Sequence, residues 1–481
     1  MTAQRTTLLC LIGVLTLASA DGALAQKMFS RGPSSDIGRP SGPTGGGGGF
    51  RGPGWGTVVP GIIMAVPQGY PADGPVIDNG PRQPRQATRR SATGAPSANE
   101  RRLVPDEVVI ELSNAVSTQQ VDALQRRFRL TRIESQTFQL SSTTLYRWRI
   151  PDRRSVAAVV RALEGDRLVA AAQPNYLFTL QEGETRSEGD PAQYELAKLH
   201  LPQAHALARG DNVLVAVIDS AIDITHPELA GSIAERFDAL MPSTGPHKHG
   251  TAIAGLIAAH AKLMGAAPGA RILAVSAFDP KNAGAEGTTF NILKGLDWAA
   301  TRGTRVINMS FAGPPDPLIH RSLEAAHKKG IVLVAAAGNA GANSPPLYPA
   351  ADPSVIAVTA TDIEDKLFEQ SNRGPYIALA APGAQILVAS PDGGYDVSSG
   401  TSYSAAEISG IVALMLQRKP DLKPEQVRGI LRATAKDLGP KGPDAMFGAG
   451  LADAYGALTA EAAPLTAGRP RPVERVSTGA R

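Results

Sequence analysis

The sequence predicts an α/β protein: a parallel sheet with helices on both faces, preceded by a small ferredoxin-like α+β domain and a disordered N-terminal segment. Three observations carry this expectation. Residues 193–460 alternate short apolar runs with helical patterns, as a parallel sheet requires, because each strand needs a crossover back to the same edge. Residues 103–181 run strand, helix, strands, helix, strand, the order of a ferredoxin-like unit. Residues 26–102 gather Gly and Pro, including the run Gly45 to Gly49, and hold too little large apolar surface to offset the entropy of ordering.

In chain order, residues 1–25 read as an export signal. Arg5 precedes an apolar run from Leu8 to Leu17, and Ala23-Leu24-Ala25 offers small residues for cleavage. The alternative is a retained anchor, against which the shortness of the run counts. Cys10 is the only cysteine and lies inside that run, so a processed chain has no thiol for a disulfide, a nucleophile or a metal site. No later stretch is long and apolar enough to cross a bilayer; Val58 to Val66 is short and is broken by Pro60 and Gly61. The expected location is the periplasm, the cell surface or the medium.

The net charge of +4 is small, and its placement is more informative. Residues 81–102 carry six Arg against Glu100, and residues 461–481 carry four Arg against two Glu. These segments account for more than the whole excess, so the remainder is slightly acidic. A nucleic-acid-binding protein should carry its basic surface on a folded face. The balance therefore argues against nucleic acid and for two solvated basic segments, the second a flexible tail.

In the 103–181 unit, Val108-Val109-Ile110 suggests a strand. Ser117-Thr118-Gln119-Gln120 has the capping-box pattern, with Val121, Leu124 and Phe128 following at helical spacing. Leu145, Trp148 and Ile150 mark a second strand-like stretch, and Val156, Val159, Val160 and Leu163 a second amphipathic helix. Leu168 to Leu180 closes the unit as a strand. Residues 182–192 are polar, with Gly183, Gly189 and Pro191, and read as a linker open to cleavage. Beyond it, Val213–Ile218, Ile272–Ser276, Val306–Met309, Ile331–Ala336 and Val355–Val358 read as buried strands, with helices over Phe290–Ala300 and Leu318–Lys329.

Polar residues that do chemistry belong at the carboxyl ends of such strands. In Val217-Ile218-Asp219-Ser220, Asp219 lies at the end of a buried strand. His249-Gly250-Thr251 opens an apolar helical run from Ala252, and Gly400-Thr401-Ser402 opens another from Tyr403. Together they can form a nucleophile, a base and an orienting carboxylate. Asn339 follows the strand from Ile331 in Ala337-Gly338-Asn339. Its amide can donate to the oxyanion of a tetrahedral intermediate, with the backbone N–H of Ser402 as second donor at a helix N-terminus. Singly, each signal is weak: Gly-Thr-Ser is usually a capped turn, and a lone His or Asp is usually structural. Neighbouring His247, Ser399, Ser404 and Asp223 lack the flanking residues and are weaker candidates.

These segments resemble the subtilisin-like serine peptidases over roughly residues 190–460. Val215 to Ser220 with His226-Pro227-Glu228-Leu229 resembles the family's aspartate segment. His249-Gly250-Thr251 with Ala254-Gly255 resembles its histidine motif, and Val306 to Ser310 its substrate-binding strand. Ala337-Gly338-Asn339 resembles its oxyanion motif, Gly400-Thr401-Ser402 its nucleophile motif, and Phe447 to Leu451 its closing segment. The resemblance implies a serine endopeptidase working through an acyl-enzyme, with Ser402 as nucleophile, His249 as base, Asp219 as orienter and Asn339 as oxyanion donor. It implies a peptide or protein substrate lying as a strand beside Ser310, Phe311, Ala312 and Gly313. It also implies that the 103–181 unit, ending in Gln173-Pro174-Asn175-Tyr176, is an inhibitory propeptide cut away within 181–192, though an unrelated binding module is the alternative. No cofactor is implied. Calcium is possible, without identified ligands, and the short stretch from His249 to Gly265 lacks the loop that gives some members a tight calcium site. Ala335 to Pro349 holds no acidic residue, so an uncharged side chain is expected before the cut bond. Tyr348-Pro349 resembles a turn that is often cis in the family. Ala406 stands where the nucleophile motif usually has Pro, and Tyr403 where Met is common; Ala keeps a helix intact. A silent scaffold and an esterase are the competing classes. Probe labelling of Ser402 separates the first, and peptide against ester turnover the second. The absence of a Gly-x-Ser-x-Gly elbow weighs against an α/β-hydrolase.

Overall fold

The structure is a computed structural model and describes residues 93–112, 116–181, 193–281 and 284–461. The expected export signal, most of the Gly/Pro-rich segment, the 182–192 linker and the tail beyond 461 lie outside the described residues. Among the described residues no helix is long and apolar enough to cross a membrane.

The leading unit contains β1 (Leu103–Leu112), α1 (Thr118–Phe128), β2 (Thr131–Phe138), β3 (Thr143–Arg149), α2 (Val156–Glu164) and β4 (Val169–Leu180). The capping box at Ser117 forms as the sequence suggests, with Gln120 N–H donating to Ser117 Oγ and Ser117 N–H to Gln120 Oε1. Val121, Leu124, Val156, Val159, Val160 and Leu163 pack with Val108, Ile110 and Trp148 into one core. This unit begins earlier than expected. Gly94 N–H and the Thr93 hydroxyl donate to the Glu164 carboxylate, Ala95 packs on the core, and Leu177 N–H donates to Arg102 O. Residues 93–102 thus belong with the α+β unit rather than with the segment before it.

The larger unit opens with two short helices, α3 (Tyr194–Lys198) and α4 (Leu201–His205). Next come β5 (Leu214–Ser220), β6 (Ile233–Asp238), α5 (Lys248–Ala258), β7 (Arg271–Lys281), β8 (Gly284–Thr288) and α6 (Thr289–Thr301). Then follow β9 (Val306–Met309), β10 (Phe311–Ala312), α7 (Pro317–Lys328), β11 (Val332–Ala336) and β12 (Val355–Thr361). The chain continues through β13 (Ile377–Pro382), β14 (Ile386–Ser390), β15 (Gly394–Ser398), α8 (Thr401–Arg418), α9 (Pro424–Thr434) and α10 (Ala454–Thr459).

Strands β13, β12, β11, β9, β5 and β7 lie side by side and parallel, and β6 joins β7 in the same sense. One face carries α5 and α8 over residues such as Val215, Val217 and Val334. The other carries α6 and α7 over Ala216, Ile218 and Leu333. Alternate residues of each strand therefore serve opposite cores, which is why these strands read as continuous apolar runs. Strand β4 links the two units. Its first half pairs antiparallel with β1, and its second half lies antiparallel between β8 and β10. Polar contacts reinforce the junction. Gln173 Nε2 and Thr289 Oγ1 donate to the buried Asp316 carboxylate, Phe290 N–H donates to Asn175 Oδ1, and Arg321 pairs with Glu111.

Candidate active site

The four residues singled out in the sequence occupy one end of the parallel sheet. Asp219 is the penultimate residue of β5, His249 sits in the first turn of α5, Asn339 follows β11, and Ser402 sits in the first turn of α8. Helix α5 can approach β5 closely because residue 250 is Gly: a Cβ there would lie 2.3 Å from Ser220 O. That approach brings Asp219 and His249 together and accounts for the Gly of His-Gly-Thr.

His249 Nδ1 lies 2.8 and 3.0 Å from the two carboxylate oxygens of Asp219, and both side chains are fully buried. An ionised carboxylate can only accept, so Nδ1 carries a proton, and in the neutral imidazole the lone pair is then on Nε2. Asp219 Oδ1 also accepts from Ser220 N–H at 2.7 Å. The Tyr403 ring packs 6.1 Å from the imidazole, and its hydroxyl donates to Ser398 Oγ. Helix α8 runs unbroken through Ala406, as expected for a Pro-to-Ala difference.

The Ser402 hydroxyl is directed at two carbonyls, Gln181 O at 2.7 Å and Ser310 O at 3.1 Å. Gln181 N–H in turn donates to Ser310 O at 3.3 Å. The end of β4 thus lies against Ser402 as an added strand, with Leu180 opposite Phe311 and Thr179 opposite Ala312. The segment Ser310 to Gly313 is where the sequence placed the substrate contact. Gly313 lacks a Cβ for cause: one there would lie 2.2 Å from the Phe178 ring.

Asn339 Oδ1 accepts from Thr401 N–H at 3.1 Å and from Thr401 Oγ1 at 2.9 Å. Thr401 Oγ1 accepts from Gly338 N–H. These contacts fix the amide, so its Nδ2 faces the other way; it is buried and has no partner among the described residues. An oriented donor beside the N-terminus of an 18-residue helix is suited to a developing anion. Asn339 N–H donates to Gln181 Oε1 at 2.9 Å, so the neutral side chain preceding residue 182 is held at this site.

Supporting hydrogen bonds join the Val306–Ser310 segment to helix α8. Ser409 Oγ donates to Asn308 Oδ1, Asn308 Nδ2 to Ser310 Oγ, and Ser310 Oγ to Ser402 O, a chain that ties β9 to α8. The role of Thr401 could be suspected from its motif, whereas that of Gln181 requires the docked strand. The weaker candidates lie elsewhere: Ser404 donates to Ala381 O and Pro382 O, Ser399 accepts from Gln385 N–H, and Asp223 accepts from Thr225 in a turn. The Tyr348-Pro349 bond is cis, and Tyr348 bridges Gly313. Among the described residues no group of three or more His, Cys, Asp or Glu is arranged to hold a metal. Glu228 is engaged otherwise, accepting from the N–H groups of Ala261, Lys262 and Leu263 and from the Tyr395 hydroxyl.

Comparison with known proteins places the chain in a family. Residues 210–450, just over half of the chain, match the Subtilase family, and residues 89–175 match the Fervidolysin N-terminal prodomain. The thermophilic serine proteinase of Bacillus sp. (strain AK1) is 33% identical over 315 residues, 63% of this chain and 76% of that protein. Fervidolysin of Fervidobacterium pennivorans is 34% identical over 287 residues, 52% of this chain but only 41% of its own length. The crystal structure of fervidolysin, described as a keratinolytic enzyme related to subtilisin, superposes with a TM-score of 0.64 at 24% identity, covering 75% of this chain and 62% of that one. At that identity the superposition speaks for the fold alone. The family match and the extent of the proteinase match together identify the chain as a member of the subtilase family of serine peptidases, carrying a prodomain of the fervidolysin type.

Proposed function

We propose that this chain is an exported serine endopeptidase, made as a zymogen that cuts itself between Gln181 and Glu182. Ser402 is the nucleophile, His249 the base, Asp219 the orienter, and Asn339 Nδ2 with the Ser402 N–H the oxyanion donors. The unit ending at Gln181 is the inhibitor, residues 182–192 the linker, and residues 193–460 the catalytic domain. The observation that carries this reading is the 2.7 Å contact between Ser402 Oγ and the carbonyl of Gln181, the residue that directly follows the added strand. Export rests on the sequence signal in residues 1–25.

In the reaction, Ser402 Oγ turns from the carbonyl oxygens and bonds to the carbonyl carbon while His249 Nε2 takes its proton. The carbonyl electron pair moves onto oxygen, where Asn339 Nδ2 and the Ser402 N–H can receive it. Collapse breaks the C–N bond, and the leaving amine takes the proton from His249. Water then repeats the sequence on the acyl-enzyme and regenerates Ser402. Asp219 keeps the proton on Nδ1 and offsets the imidazolium charge. Substrates should bind as Thr179–Gln181 does, with main-chain pairing supplying affinity and an uncharged residue before the cut bond.

Intact-mass measurement of purified wild type beside Ser402→Ala tests the proposal. Wild type should yield a chain beginning at Glu182, and the variant should remain uncut. Equal processing of both would reject self-cleavage, and a cut many residues downstream would reject the assignment of the bond.

A further inference from the structure

Ser220, next to Asp219, is not explained by the triad itself. Its Oγ has three polar neighbours: Gly250 N–H at 3.1 Å, Asp219 Oδ1 at 3.1 Å and His247 Nδ1 at 3.0 Å. The Gly250 contact fixes one role, since a backbone N–H can only donate. The carboxylate fixes another, since it can only accept. His247 Nδ1 alone can do either. The hydroxyl has one proton, so the state of His247 decides where that proton goes.

We propose that His247 and Ser220 form an outer arm of the Asp219–His249 pair, in which protonation of His247 drives the Ser220 hydroxyl onto Asp219 and weakens the hold of Asp219 on His249. Both are positioning residues, and the proposal rests on the triad reading above. When Nδ1 of His247 carries no proton, it accepts from His249 N–H across 3.4 Å and competes with Asp219 for the Ser220 proton. When Nδ1 is protonated, it must donate to Ser220. Ser220 then accepts from His247 and Gly250, and its own proton is left to Asp219. The carboxylate gains a full donor beside Ser220 N–H and His249 Nδ1–H. Each added donor stabilises the carboxylate charge and reduces what it lends to the imidazolium. The new cation on His247 acts in the same direction.

His247 is suited to this task. It is the N-cap of α5 and is held by His247 N–H donating to Ala221 O, yet it is only half-buried, so protons reach it. Imidazole is the side chain that ordinarily changes charge between about pH 5 and 8. Among the described residues, the charged groups near it include Asp219 across Ser220 on β5, and Lys248 and His249 on its own helix. Asp223, Arg236 and Asp238 line the adjoining cavity beside Pro246. Lysine and arginine side chains ordinarily titrate above this range and carboxyl side chains below it. His247 is therefore the group outside the triad that changes state.

The consequence is an acid limit of activity lower than the Asp219–His249 pair alone would set. His247→Asn keeps a capping acceptor but cannot titrate. In kcat/KM profiles on a peptide amide, its acid limb should lie about half a pH unit above that of wild type. In Ser220→Ala, the further change to Asn at 247 should move the limb by less than half as much. The same coupling can be read without turnover, from the His249 titration in 15N-histidine NMR spectra of the full chain carrying Ser402→Ala. Coincident His249 titrations with His and Asn at 247, or a shift undiminished in Ser220→Ala, would overturn the proposal. Loss of turnover with the NMR coupling intact would instead count against the triad reading.

Discussion

Phe178 is the side chain through which the leading unit should grip the cleft hardest, and removing it gives a quantitative test. Its ring is fully buried and meets Phe311 edge to face, with centroids 6.0 Å apart and planes at 87°. Gly287 lies opposite it on β8, and Gly313 leaves the space that its ring fills. Truncating a buried Phe to Ala costs about 3–5 kcal/mol, of which the aromatic pair supplies roughly 0.5–1.5 kcal/mol. At about 1.4 kcal/mol per decade, the cut prodomain should bind roughly 100- to 4,000-fold more weakly in Phe178→Ala. The assay follows peptidase activity of full-length protein after self-cleavage, over a dilution series, with size exclusion to report whether the two pieces stay together. Wild type should stay latent at concentrations where Phe178→Ala is active. Ile133→Ala, on the outer face of the same unit, should behave as wild type. If Phe178→Ala stays as latent as wild type over the whole series, β4 is not the inhibitory contact and the reasoning fails.

Other consequences are more local. Asn339→Ala should lower kcat about 10²- to 10³-fold with little change in KM, the range known for an oxyanion donor, for which the subtilisin asparagine is the reference case. Glu407 on α8 and Glu195 on α3 are both buried, and burial, reinforced at Glu407 by the charge of Glu195, raises both carboxyls above their ordinary range. Stability contributed by the protonated pair is present at acid pH and lost as pH rises through the raised values. Melting temperature should therefore fall on the alkaline side, and Glu407→Gln should flatten that fall. Glu228 has the opposite sign. Burial alone would raise it, but the Tyr395 hydroxyl and three backbone N–H groups outweigh burial and hold it below its ordinary range. Its contribution is present at neutral pH and lost as pH falls through the lowered value. Glu228→Gln should cost about 1–3 kcal/mol at pH 7 and less in acid, as read by denaturant titration at both.

What was legible in the sequence follows from what is local. Val306–Met309 was readable as a strand because both its faces are buried, and Ser117 as a helix start because its cap closes within three residues. Asp219, His249, Asn339 and Ser402 were readable because the ends of parallel strands and the starts of the following helices meet at one edge. Strand β8, Gly-Ala-Glu-Gly-Thr, has no apolar pattern of its own and exists by pairing with β4 and β7. Strand β4 was legible as the last strand of the small unit, but not as a member of the larger sheet, because its second half is held by partners more than 100 residues away. The Ser220–His247 contact and the Glu195–Glu407 pair were hidden because they join elements whose approach is set by packing. Residues 93–102 looked like the Gly/Pro-rich segment before them, yet they are fixed by Glu164 and by the edge of β4.

The central claim is that Ser402 is a nucleophile activated by His249. A fluorophosphonate probe, reacted with wild type, Ser402→Ala and His249→Ala and mapped by peptide mass spectrometry, tests it most directly. The account predicts a single adduct on Ser402 in wild type, none in Ser402→Ala, and strongly slowed labelling in His249→Ala. An adduct on another residue, or labelling of Ser402 at an unchanged rate without His249, would contradict it.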